Sequence, residues 1–284
     1  MRAHIVAAAA ILALVLAACS SAATPAPTSP PTAAATTAAT TAPPASAAGG
    51  SLTIYAAASL KAALGKAKTA YEAAYPGTTL TISTDSSSAL ETKIEQGAPA
   101  DVFLSADTTN PQKLIDKGLA GGALTKFAGN LLTVIVPTAN PAGITSPADL
   151  AKAGVKVIAA GDTVPITKYA TMLVANLAKE SGYPADYAAR YTANIASRED
   201  NVAAVVSKIE LGEGDAGIVY VTDAKSSTKV TPITVPPTAN VPATYSGVTV
   251  KASTNAAAAA AFLGWLAGPD GQAILATFGF LAPS

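Results

Sequence analysis

The chain has 284 residues, 50% of them hydrophobic and 13% charged, with 18 basic and 18 acidic side chains and no net charge. That balance, without a basic run, excludes a nucleic-acid binder, and the length suits one large folded domain or two smaller ones. The single histidine, His4, and the single cysteine, Cys19, both lie near the start.

Met1-Arg2-Ala3-His4 leads into an apolar run from Ile5 to Ala18. A charged start before an apolar stretch too short to span a bilayer comfortably reads as a secretory leader, residues 1–18. It closes on Leu16-Ala17-Ala18-Cys19, which resembles the bacterial lipobox. The resemblance implies cleavage before Cys19, a diacylglycerol on its thiol, and a lipoprotein anchored to the extracytoplasmic face of the cell membrane. Beyond the lipidated Cys19, the rest of 19–50 is nearly all Ala, Thr, Ser, Pro and Gly, without an acid or a base. Such a stretch cannot bury enough apolar surface to offset its ordering entropy, so it reads as a disordered tether. With the leader gone and Cys19 lipidated, no free imidazole or thiol remains. That excludes a Ser-His-Asp triad, a Cys-His pair and a His/Cys zinc site. A Ser-Lys nucleophile or a carboxylate pair stays open.

The folded part begins at Ser51. Leu52 to Tyr55 reads as a strand, and Ala56-Ala57-Ala58-Ser59-Leu60 leads into a helix with Leu60, Ala63, Leu64, Ala67, Tyr71 and Ala74 on one face, ended by Pro76-Gly77. Ser59 is expected to be its N-cap, leaving N–H groups of the first turn free for an anion. Most such serines only cap. Thr79 to Ser83 alternates like a half-buried strand and runs through Thr84-Asp85-Ser86-Ser87-Ser88 into a second helix with Leu90 and Ile94. Ser86 or Asp85 can cap that helix, which places Ser87 in its first turn. Asp101 to Ser105 reads as a buried strand, and a helix is expected around Pro111 to Lys117.

Leu131 to Val136 is a continuous apolar run and predicts a fully buried parallel strand. A short helix follows at Ala148 to Lys152 and another buried strand at Val155 to Ala160. Asp162-Thr163-Val164-Pro165-Ile166 then opens a helix with Pro165 in its first turn, so a ligand there would meet the N–H of Ile166 or Thr167. Asn201-Val202 starts a helix with Val202, Val205, Val206 and Ile209 on one face, followed by a buried strand, Ala216 to Val221, that carries Tyr220 near its end. Tyr220 is either a core tyrosine or a donor aimed at a ligand, because ligands of open parallel sheets sit beyond the carboxyl ends of the strands. A strand at Val248 to Val250 and two helices, through Trp265 and through Phe278, close the chain. Alternating strands and helices predict an α/β protein with parallel sheets. No phosphate-binding glycine loop is present, so no cofactor is expected.

The junctions at Ser59, Ser86-Ser87, Pro165-Ile166 and Asn201-Val202, with Tyr220, offer hydroxyl and N–H donors and no cationic side chain. In order along the chain, Tyr55-Ala56-Ala57-Ala58-Ser59-Leu60, Ser86-Ser87-Ser88-Ala89-Leu90, Gly97 to Phe103, Gly161-Asp162 with Val164-Pro165, Glu199-Asp200, Gly217-Ile218-Val219-Tyr220 and Gly279-Phe280 resemble blocks of the molybdate-binding proteins of bacterial ABC transporters. The resemblance covers Ile54 to the end. It implies a type II periplasmic-binding-protein-like α/β fold, in which two lobes with mixed, mostly parallel sheets flank a cleft. Lobe 1 would be residues 51–130 plus 236–284 and lobe 2 residues 131–235. It also implies hydroxyl ligands at Ser59, Ser87 and Tyr220 and backbone N–H ligands at Ile166 and Val202.

By the same resemblance the function is capture of molybdate, with tungstate, and delivery to an ABC permease by a monomeric, non-enzymatic receptor. One departure stands out: Ile166-Thr167 follows Val164-Pro165 where family members often have Ala-Gly, which bears on pocket size. The donor-only set fits dianions that cannot donate a hydrogen bond, molybdate and tungstate foremost; sulfate is served by donors alone too. Two other classes remain to be weighed: a Ser-Lys lipoprotein hydrolase, for which Lys61 is poorly placed because i and i+2 residues do not share a helix face, and a surface adhesion module.

Overall fold

In the computed structural model, residues 50–283 are described; the leader, Cys19 and the tether up to residue 49 lie outside the described residues. Leu52, Ile54 and Ala56 are fully buried, and this alternation forms β1 (Ser51–Ala57). A 3-10 turn over Ala58–Leu60 links it to α1 (Lys61–Ala74), which buries Ala63, Leu64, Ala67 and Tyr71. The Tyr71 ring meets the edges of Phe262 and Trp265, each with centroids 5.0 Å away. Next come β2 (Thr79–Asp85), α2 (Ser87–Glu95), β3 (Val102–Ser105), α3 (Thr109–Asp116) and β4 (Thr125–Asn130). Beyond them run β5 (Leu132–Pro137), a 3-10 turn (Pro147–Ala151), β6 (Val157–Ala160), α4 (Pro165–Leu177), α5 (Tyr187–Ala193) and β7 (Ile195–Glu199). The chain ends with α6 (Val202–Glu210), β8 (Ala216–Tyr220), α7 (Val221–Lys225), β9 (Val230–Ile233), β10 (Ala243–Thr249), α8 (Ala256–Ala267) and α9 (Pro269–Thr277).

The strands form two five-stranded sheets, in the orders β2-β1-β3-β10-β4 and β7-β6-β8-β5-β9. Each sheet with its helices is one lobe of a two-lobed α/β fold. The pairings of β1 with β2 and β3, and of β6 with β7 and β8, are parallel. Those of β10 and β5 with their neighbours are antiparallel. Both sheets are therefore mixed, and the parallel direction expected for Leu131 to Val136 is corrected: β5 runs antiparallel to β8 and β9. A continuous apolar run reports burial on both faces, which β5 has along its whole length, and says nothing about direction. Strands β4, β7 and β9, and helices α5 and α7, have weak sequence signals. The residues of β7 alternate between half-buried and exposed at a sheet edge, and β9 carries Pro232, which only an edge strand tolerates.

The chain passes between the sheets at Asn130–Leu132 and again between β9 and β10. Asn240 ties these two crossings together: its Oδ1 accepts from the Leu132 N–H at 3.1 Å and its Nδ2 donates to the Leu132 carbonyl at 2.8 Å. In the second lobe α6 lies close against β8 because Gly217 leaves room. A Cβ there would stand 2.9 Å from Val205 Cγ1 and 3.0 Å from the Ile158 carbonyl oxygen. Gly217→Ala is expected to lower stability by about 1–3 kcal/mol through overpacking. A denaturant-unfolding curve with an unchanged midpoint would contradict this packing role.

Candidate functional site

Ser59, Ser87, Ile166, Val202 and Tyr220 line one small cavity between the lobes, with about 210 Å³ of empty space. Ala57, Ala58, Asp85, Ser86 and Ala106 complete its wall on one side, and Val164 and Asn201 on the other. It lies at the carboxyl ends of strands from both sheets, where their connections turn into helices. Among the described residues, no lysine or arginine lines it.

Each helix start reaches the cavity by a local device. Ser86 caps α2, its side chain accepting from the Ala89 N–H at 3.3 Å, and Ser87 is the first helical residue. Asn201 caps α6 in the same way, accepting from the Ala204 N–H at 3.1 Å, which leaves Val202 first in the helix. In α4, Pro165 takes the first position and Ile166 the second. Thr167 Oγ1 donates to the Ala160 and Gly161 carbonyls at 3.0 and 2.8 Å, pinning the turn before α4. The Ile166 side chain is buried and also lines a second cavity of about 480 Å³ within the second lobe. The foremost N–H groups, those of Ser87, Ile166 and Val202, have no carbonyl partner within their helices, whereas the Thr167 N–H bonds the Val164 carbonyl at 2.9 Å.

Ser59 corrects one expectation. It sits inside the 3-10 turn, the cap position of α1 belongs to Leu60, and neither has a side-chain cap. The extra tight turn moves the helix start past the serine and frees its hydroxyl, which bonds Tyr245 Oη at 2.8 Å. Ser87 Oγ accepts from the Ala106 N–H at 3.1 Å, so its own proton remains to be given. Tyr220 is 1% exposed, and its hydroxyl has no hydrogen-bond partner among the described residues. Burial, then the neighbouring Tyr245 and Tyr169, push its phenol far above the usual range, so it is a neutral donor. A buried donor left unpaired costs about 1–3 kcal/mol.

Sequence reasoning named Asp85 only as a cap. It lines the cavity as the one charged side chain there among the described residues. Burial opposes its ionisation. Lys93 at 3.0 Å, the Ser86 N–H at 2.8 Å and the Asn201 amide at 3.2 Å outweigh that and hold its carboxyl below the usual range. The Asn201 bond joins the two lobes, as do Ser88 with Thr163 at 3.5 Å and Lys168 with Thr109 at 3.3 Å. Tyr245, Asn130 and Ala106 escape sequence reasoning entirely; none has a local signal, and each meets the site through residues far away in the chain. On α2, Glu91 is buried with Oε1 unpaired. Burial and the adjacent Glu95 carboxyl raise it from 4.5 to about 7, against the pull of Lys113.

A family model for bacterial extracellular solute-binding proteins matches residues 52–281. A molybdate-binding protein of Mycobacterium tuberculosis H37Rv is 34% identical over 82% of this chain and 85% of its own length. Among solved structures, the periplasmic molybdate-binding protein of Azotobacter vinelandii superposes with a TM-score of 0.69 at 23% identity, covering 82% of this chain and all of that one. The sulfate-binding protein SubI of M. tuberculosis gives 0.72 at 21%, over 81% of this chain and 86% of its own. At such identities the two structures speak for the fold alone.

The Glu91 shift has a pH consequence. The folded state keeps this proton to a higher pH than the unfolded chain does, so between about pH 5 and pH 7 it binds more protons, and Glu91 lowers stability as pH rises through that window. Glu91→Gln is expected to flatten the decline. Urea unfolding of both proteins across that range, with parallel slopes, would refute it.

Proposed function

Because the chain belongs to the bacterial extracellular solute-binding protein family, on its molybdate-binding branch, we propose that it captures molybdate, and tungstate with it, and hands the ion to an ABC permease. The observation that carries this reading is the lining of the small cavity: hydroxyls and helix N-termini from both lobes, one of them the partnerless Tyr220 hydroxyl, and no cation among the described residues. Molybdate and tungstate are fully deprotonated near neutral pH and only accept hydrogen bonds, so a shell of donors serves every oxygen. Each helix N-terminus offers about half a positive charge, and three of them with three hydroxyls stabilise a dianion without Arg or Lys. Ser59, Ser87 and Tyr220 give hydroxyl protons; Ile166 and Val202 give N–H groups. The lobes, taken as residues 51–130 with 236–284 and 131–235, close on the ion.

Phosphate, partly protonated, would want an acceptor as well. Asp85 is the only carboxylate in the lining among the described residues, and it already receives Lys93, the Ser86 N–H and the Asn201 amide. Sulfate is likewise a dianion served by donors alone, which makes it the second reading. Cavity size separates the two, with the Ile166 side chain setting one wall. No lysine lines the cavity beside Ser59 or Ser87 among the described residues, and its carboxylate, Asp85, is already taken up by Lys93, the Ser86 N–H and the Asn201 amide, which speaks against the hydrolase alternative. We also propose that Cys19 carries the lipid anchor and that the receptor works as a monomer on the extracytoplasmic face.

Calorimetry with molybdate, tungstate, sulfate and phosphate tests the ligand. Micromolar or tighter binding of the first two is expected, and millimolar or absent binding of both overturns the reading, with 1 mM equivalent to about −4.1 kcal/mol. Ser87→Ala and Tyr220→Phe are each expected to cost about 1.5–3 kcal/mol of binding, the value of one hydrogen bond to a charged acceptor. For the anchor, Cys19→Ala is expected to shift the protein from the membrane fraction to the medium; unchanged fractionation argues for a different attachment.

A further inference from the structure

We propose that Tyr245 is a positioning residue that turns the Ser59 hydroxyl proton into the cavity, at the end of a one-way hydrogen-bond chain that starts where β4 gives way to β5. The proposal rests on the oxyanion reading above.

The direction of the chain follows from its first member. Asn130 is fully buried, and its Oδ1 accepts from the Leu131 N–H at 2.9 Å. A backbone N–H can only donate, so that oxygen is an acceptor and the other end of the amide is the NH2 group. Asn130 Nδ2 therefore donates, to Thr222 Oγ1 at 2.8 Å and to Tyr245 Oη at 3.4 Å. Tyr245 Oη receives this bond and keeps one proton to give. The hydroxyl partner in reach is Ser59 Oγ, at 2.8 Å. With Ser59 Oγ accepting from Tyr245, the serine proton cannot return along the same contact. It points elsewhere, and Ser59 faces the cavity. In the opposite direction Ser59 would spend its only proton on Tyr245 and could offer an anion nothing but lone pairs.

The tyrosine is held for this task. It is fully buried on β10, with ring centroids of Tyr220, Phe127 and Phe280 at 5.6, 6.2 and 5.3 Å, all edge-on. Burial first, and then the nearby Asp223, push its phenol well above the usual range, so it keeps its proton. Sequence distance hides the arrangement, since Ser59 and Tyr245 lie 186 positions apart.

The test is a double-mutant cycle read by calorimetry with sodium molybdate on the purified full chain. Tyr245→Phe keeps the ring and removes the relay. It is expected to weaken molybdate binding about tenfold when Ser59 is present, the size of one hydrogen bond. In a Ser59→Ala background the same change is expected to alter affinity by less than about twofold, because independent sites add and coupled ones do not. Asn130→Asp provides a second cycle: a carboxylate accepts the Tyr245 proton, the phenol oxygen then accepts from Ser59, and the serine proton leaves the cavity. Its added charge acts in both backgrounds alike, so a larger loss with Ser59 present than in the Ser59→Ala background reports the reversed chain. If Tyr245→Phe does not fold, this second cycle decides. Equal losses in both backgrounds, or no loss, overturn the proposal while tight binding by the unmodified protein leaves the molybdate reading standing. Absence of binding by the unmodified protein brings down both.

Discussion

The proposed capture of a doubly negative ion without a cationic side chain requires partial charges to converge from several directions, and the lining of the cavity offers such convergence. Each helix start contributes N–H groups that its own helix cannot satisfy, but one helix supplies too little charge and covers too small an angle. Three starts from two sheets, with hydroxyls between them, can surround a point. The starts of α2, α4 and α6 meet at one cavity because the parallel strands that feed them end on the same side of each sheet, and the two sheets place those ends face to face. The caps on Ser86 and Asn201 occupy N–H groups deeper in the first turn, those of Ala89 and Ala204, and not the foremost ones.

Asp85 shows how such a site tolerates a negative side chain at its edge. An unpaired carboxylate there would repel an anion. Its oxygens instead receive a lysine, a backbone N–H and the Asn201 amide, and the last of these crosses from one lobe to the other. The same residue that caps α6 thus reaches over the cleft. Holding the lobes together and aiming the helix are done by one side chain.

The buried tyrosines do related work. Tyr169, Tyr220 and Tyr245 form a chain of edge-on rings, with centroids 6.3 and 5.6 Å apart, running from α4 through β8 to β10. Their apolar rings fill the core beside the crossing strands while their hydroxyls remain available to polar neighbours. Desolvation keeps the Tyr220 and Tyr245 phenols protonated, so they stay donors.

Much of this is legible in the one-dimensional pattern. The helix starts near Ser86 and Asn201, the first-turn proline at 165 and the apolar run that carries Tyr220 depend on residues within a few positions of each other, so the sequence shows them, although it leaves Ser86 and Asp85 as rival caps. The five candidate ligands are singled out by the family resemblance; the local pattern by itself leaves Ser86 beside Ser87 and Thr167 beside Ile166. Direction and distance are not legible there. Burial of Leu131 to Val136 is plain from hydropathy, yet only pairing with β8 and β9 decides that β5 runs antiparallel. Ser59 resembles a cap because a serine before a helix usually is one, and the 3-10 turn that displaces it is fixed by packing around Leu60. The pairing of Ser59 with Tyr245, of Asp85 with Asn201 and of Asn130 with Thr222 joins residues 92 to 186 positions apart. No periodicity encodes such contacts; they exist because the tertiary packing brings residues of the two sheets to one cavity.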